Sequence, residues 1–75
     1  MASIYSEEYQ QVLKTLRQAR IEQGISQQRL AKALNRPQSF VAKVENGERR
    51  LDVVEFVHIA RLLGLRVEEV LGKIG

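Results

Sequence analysis

The 75-residue sequence contains no cysteine, one histidine and one proline. Without cysteine there is no disulfide scaffold and no thiolate metal site, and a reducing interior is the simplest setting. A single histidine cannot assemble a zinc site. No apolar run approaches the about 20 residues that a membrane-crossing helix needs. The N-terminus lacks the charged and apolar regions of a secretory signal. A cytoplasmic chain is therefore expected. Also missing are a phosphate loop, a dinucleotide fingerprint and any nucleophile–base constellation, which argues against an enzyme and against a cofactor. With no ligand domain, no small-molecule effector is expected either.

What remains fits one small domain spanning residues 1–75. A core of that size is thin, and burial against a partner subunit would help it. The net charge is +3 and the isoelectric point is about 9.7, a modest lean towards acidic partners, nucleic acid first. One proline and few alternating apolar runs predict an all-α fold.

Five helices can be placed. Ser6 caps the first, with Glu7 and Glu8 on the positive end of its dipole. Val12, Leu13, Leu16, Ala19 and Arg20 recur at helical spacing. Gly24 ends the helix and Ile25 supplies the apolar contact after such an end. Ser26 caps the second helix, whose inner stripe is Leu30, Ala31 and Leu34. The third runs from Pro37 to about Asn46, with Pro37 in its first turn and Gly47 as its stop. Pro37, Phe40, Val41 and Val44 line one of its faces. Asp52 and Glu55 make a capping box for the fourth, with Leu51 and Phe56 at the positions of a hydrophobic staple. That helix runs to Leu63, before Gly64. The fifth covers about Val67 to Lys73. Tyr5 and Tyr9 read as packing residues at the start of helix one, and His58 as a surface histidine.

Helices two and three are joined by Asn35-Arg36-Pro37. A connection so short forces a steep crossing, which is a helix-turn-helix. Ala31 is small enough for the close approach of the backbones, and Asn35 tolerates the positive φ of the turn. The residues Leu16-Arg17, Arg20, Gly24, Ser26-Gln27, Leu30-Ala31, Val41, Glu45-Asn46-Gly47, Arg49, Ile59-Ala60 and Leu63-Gly64 form a joint pattern. In these residues the chain resembles the Cro/repressor-type (XRE-like) helix-turn-helix DNA-binding family, over about Val12 to Leu71. It departs from that pattern at Asn35, where glycine is usual, and at Leu51, where proline is common.

The resemblance implies five helices, with the third in the major groove of DNA. It also implies that Arg20 and Glu45 form a pair tying helix one to the end of helix three. The residues themselves point the same way. The outward positions of helix three are Gln38, Ser39, Ala42, Lys43 and Asn46, and none is acidic. Gln can bond adenine at two atoms and Lys can reach guanine O6 and N7. Ala42 is small enough to approach a thymine methyl. Gln38, Ser39, Ala42 and Lys43 are the expected base readers. Gln27, at the positive end of helix two, and Arg36, Asn46, Arg49 and Arg50 are the expected phosphate contacts. Phe40 lies on the apolar stripe and reads as a core-edge residue.

Helix four is apolar on most sides. A small domain cannot bury all of it, so part should face a second subunit. Val54, Leu71 and Ile74 are the candidates. A two-fold homodimer would read a pseudo-palindromic operator in double-stranded DNA. The expected function is a sequence-specific transcriptional regulator, a repressor in the first instance. The alternatives are an antitoxin, which the lack of a disordered toxin-wrapping tail disfavours, and a helical interaction adaptor of the same fold. The arginines and acid-free face of helix three count against the adaptor.

Overall fold

The Ser6 hydroxyl accepts a hydrogen bond from the Tyr9 amide and opens α1 (Glu7–Glu22), with Glu7 and Glu8 in its first turn. The computed structural model describes residues 6–74, so Tyr5 lies outside the described residues. Four further helices follow: α2 (Gln27–Ala33), α3 (Gln38–Glu45), α4 (Val53–Leu62) and α5 (Val67–Gly72). The fold is all-α, with no strand among the described residues.

Four boundaries differ from the expected ones. Asn46, Leu63 and Lys73 are C-caps rather than the last helical residues. Pro37 is the N-cap of α3, in extended conformation (φ −68°, ψ 153°), and not part of its first turn. It is exposed and does not share the buried face of Phe40, Val41 and Val44. The reason is steric. The chain leaves the turn at Arg36, whose helical conformation is disfavoured by the proline ring, so the helix starts only after the ring.

α1, α2, α3 and α4 end in the same way. The amide two residues past the C-cap bonds back to the carbonyl five residues earlier: Ile25 to Arg20 at 3.0 Å, Arg36 to Ala31 at 2.9 Å, Glu48 to Lys43 at 2.8 Å and Leu65 to Ala60 at 2.8 Å. This closure needs a left-handed residue just before the donor. In the helix-turn-helix that residue is Asn35, at φ 59°. Asparagine is the residue that best replaces glycine there, so the departure from the family pattern leaves the turn unchanged.

The core joins Leu13 and Leu16 of α1 to Leu30, Val41, Val44 and Ile59. Ala31 and Ala60 are 1% and 0% exposed, so neither site has room for a larger side chain. Leu51 packs against this core and Phe56 is part of it, as a staple requires. The Tyr9 hydroxyl accepts from the Leu51 amide at 3.0 Å, which pins the loop before α4 to α1.

Two ionic anchors fix α3, one at its last residue and one joining the segments that flank it. At the first, Arg20 donates to both oxygens of Glu45, from Nε at 2.7 Å and from Nη2 at 3.0 Å. Arg20 Nη1 also donates to the Ile25 carbonyl at 2.7 Å. At the second, Glu55 is the N3 residue of the α4 capping box, accepting from the Asp52 amide at 3.0 Å. The same carboxylate accepts from Arg49 at 2.9 and 3.1 Å and from Arg36 at 2.9 Å. The Arg49 hydrogen bonds, the Asp52 amide and the charges of Arg49 and Arg36 outweigh desolvation and hold the Glu55 carboxyl below the usual carboxylate range.

Two outcomes follow. Glu45→Ala leaves Arg20 buried without its charge partner, at a cost of about 3–5 kcal/mol. That lowers the thermal midpoint by about 10 °C or more, and the double variant Arg20→Met/Glu45→Leu recovers most of the loss. A single-variant midpoint within a few degrees of the unmodified protein would reject the anchor. Glu55, with its folded-state pKa lowered, contributes stability that is complete above the unfolded glutamate value of about 4.3. That contribution is lost as the pH falls through the lower folded value. Urea midpoints should therefore drop faster below that pH for the unmodified protein than for Glu55→Gln, and parallel curves would contradict it.

Candidate nucleic-acid interface

α3 is eight residues long and carries two unlike faces. Phe40, Val41 and Val44 are buried. Gln38, Ser39 and Lys43 are exposed on the other side, with Asn46 at the C-cap and Ala42 half-exposed. The α3 stripe recurs at helical spacing, so burying one face presents the other to solvent as a set.

The first of these outward residues is held by a relay that begins in the interior. Glu45 is a carboxylate and can only accept hydrogen bonds. Its Oε1 accepts from Gln27 Nε2 at 3.0 Å. Gln27 therefore turns its own Oε1 away from Glu45, and that oxygen accepts from Gln38 Nε2 at 2.8 Å. Each amide has one orientation that satisfies its neighbour, and the carboxylate fixes the direction for the whole chain. Gln38 keeps its carbonyl oxygen and one N–H for an outside group. Those are the acceptor and donor that a two-point contact with adenine N6 and N7 requires. Arg17 adds a weaker charge contact to Glu45 at 3.8 Å.

The residues expected at phosphates occupy different situations. Gln27 is half-buried and has both ends of its amide engaged in the relay. Arg36 and Arg49 flank α3 but share the Glu55 carboxylate. Both guanidinium carbons also lie close to the centroid of the Phe40 ring, at 4.6 and 4.8 Å, within cation–π distance. The Phe40 ring is buried and gives the two arginines a wall to rest on. Arg49 Nη1 makes a further bond to the Arg50 carbonyl at 2.9 Å. Arg50 is exposed, with its guanidinium carbon 5.6 Å from the centre of the Tyr9 ring. Asn46 is exposed and lies 3.4 Å from Glu48.

Glu55 enters the site only through the structure. In the sequence it reads as a capping residue, and its pairing with Arg36 spans 19 positions. One signal was present: two arginines stand just before a capping box whose glutamate must turn back towards the chain entering the helix.

No group of acidic or histidine side chains among the described residues could hold a metal ion. No helix among them is long and apolar enough to cross a membrane. A helix-turn-helix family model matches residues 16–70. A search of curated proteins gives no match. The solved structure of an XRE-family like protein from Pseudomonas syringae pv. tomato str. DC3000 is similar, at 49% sequence identity and a TM-score of 0.83. The similarity covers 89% of this chain and 82% of that one. With α2 and α3 forming the helix-turn-helix and most of the chain matched, the protein belongs to the XRE-type helix-turn-helix family of DNA-binding proteins.

Proposed function

We propose that this protein is a cytoplasmic, sequence-specific transcriptional repressor that lays α3 in the major groove and binds as a homodimer. The observation that carries the reading is the relay from Glu45 through Gln27 to Gln38, which presents an oriented amide on an acid-free helix face. A glutamine with no task would be left to rotate in water. In this reading Gln38, Ser39, Ala42 and Lys43 face base edges, and Arg36, Asn46, Arg49 and Arg50 face the sugar–phosphate backbone. Gln27 serves mainly to aim Gln38, and its exposed flank is left for a phosphate.

The dimer reading rests on apolar surface. Val53, Val54 and Leu71 are 77%, 59% and 48% exposed, although all three are aliphatic. Leu71 and Ile74 line an apolar groove together with Tyr9, Leu51, Val53 and Phe56. One eight-residue reading helix spans only a few base pairs, so a second copy supplies the rest of the specificity. Its two-fold symmetry matches a pseudo-palindromic operator with half-sites about 34 Å apart.

Gln38 and Lys43 are five positions apart, which separates their directions by about 140° around the helix axis and about 7.5 Å along it. They therefore meet different base pairs. Gln38→Ala should relax preference at one position and Lys43→Ala at another, each costing about 1–3 kcal/mol on the preferred site and little on random DNA. The measurement is a binding profile for each variant against a site varied one base at a time. Uniform losses across all sequences would move both residues to the backbone, and no change in either would take α3 out of the groove.

Val54→Glu and Leu71→Glu should each give folded monomers by light scattering at tens of micromolar, because both side chains are exposed in one copy and carry no core packing. An unmodified protein that is itself monomeric at that concentration would defeat the dimer.

A further inference from the structure

The capping box of α4 needs an acceptor at Glu55 for the Asp52 amide, and glutamine serves there as well as glutamate. The charge of Glu55 is therefore surplus to the cap. Its surroundings account for it. The carboxylate side chain is 11% exposed and lies behind two guanidinium groups whose side chains are 43% and 39% exposed. Arg49 binds both of its oxygens and Arg36 binds one. One negative charge is thus shared by two cations, leaving the cluster with a net +1. Phe40 limits where the guanidinium groups can go.

A free loop arginine offers its whole charge in many directions and takes any phosphate within reach. These two offer part of their charge and only the N–H groups that Glu55 leaves over. Non-specific binding to DNA follows the number of phosphates neutralised. Specific binding depends in addition on a fixed register, which directed backbone contacts supply. A part-buried carboxylate that holds both arginines in place lowers the first quantity more than the second.

We propose that Glu55 is a specificity-determining positioning residue that restrains Arg36 and Arg49 and so suppresses binding to non-cognate DNA. This rests on the DNA-binding reading given above. Glu55 touches no base or phosphate itself and acts through the two arginines.

The test is Glu55→Gln, which keeps the acceptor for the Asp52 amide and the side-chain length. Binding is measured by fluorescence anisotropy across a range of salt concentrations. One probe is a random-sequence duplex, and the other is a duplex enriched from a random pool by the unmodified protein. The expected result on the random duplex is affinity tighter by roughly 3- to 10-fold and a log–log salt slope steeper by about one unit. Affinity for the enriched duplex changes by less, so the ratio between the two falls. In an Arg36→Gln/Arg49→Gln background, Glu55→Gln leaves that ratio unchanged. Circular dichroism establishes that each variant is folded. Glu55→Ser makes the same charge change with different packing and shifts the ratio the same way.

An unchanged ratio in folded Glu55→Gln overturns the proposal, as does equal weakening on both duplexes. So does an effect that persists without the two arginines. If the unmodified protein binds no duplex in a salt-dependent way, the DNA-binding reading fails and this one with it. If it binds and only the ratio fails to move, the DNA-binding reading stands and Glu55 serves the fold alone, as helix cap and ionic anchor.

Discussion

Glu45 is a carboxylate taken almost out of water, and the outward face of α3 is arranged around that fact. Burying a charge is costly unless it is paired and hydrogen-bonded. Arg20 supplies the pair, Gln27 takes a further lone pair, and Arg20 is itself held by the Ile25 carbonyl. These requirements place α1, the start of α2 and the end of α3 in fixed relation. They also propagate outward. The orientation of Gln27 follows from the charge on Glu45, and the orientation of Gln38 follows from Gln27. A condition set in the interior thereby decides which atoms the surface shows.

The segments that flank α3 are handled by the same chemistry with a different outcome. Glu45 meets one close arginine and turns its remaining capacity towards a glutamine. Glu55 meets two arginines and a helix-capping amide. The first arrangement transmits polarity to a side chain that faces outward. The second gathers two outward cations and moderates them. Between the anchors, α3 is pressed to the core by Val41 and Val44, so an eight-residue helix that would be unstable alone is held along its whole length.

Helix starts and stops were legible because they depend on neighbours in the chain. Ser6, Ser26 and the Asp52–Glu55 box bond to amides three residues away, and the left-handed positions sit one residue past the C-caps of α1 to α4. Pro37 was misplaced by one step. Its φ suits both a helix and the extended residue before one, and only ψ separates the two. The apolar stripe of α3 was legible too, and with it the outward set that remains. The occupation of Gln27, Arg36 and Arg49 was not. Gln27 and Arg36 have partners 11 to 19 positions away on another element, and spacing along the chain carries no information about which long side chains meet across a fold. Arg49 was hidden differently, since its partner is only six positions away but lies beyond a loop whose path the sequence does not state.

The repeated closure at the ends of α1 to α4 also governs how quickly this chain takes shape. Each corner is made by a hydrogen bond that spans five residues, so most of the architecture is assembled from local pieces. Few side-chain hydrogen bonds among the described residues reach beyond 20 positions: Arg20 to Glu45 over 25, Gln23 to Leu63 over 40 and Tyr9 to Leu51 over 42. Helical chains dominated by local contacts fold in microseconds to milliseconds. Synthesis of 75 residues takes roughly 4–15 s at about 5–20 residues per second. Folding of this domain thus takes far less time than the synthesis of its 75 residues.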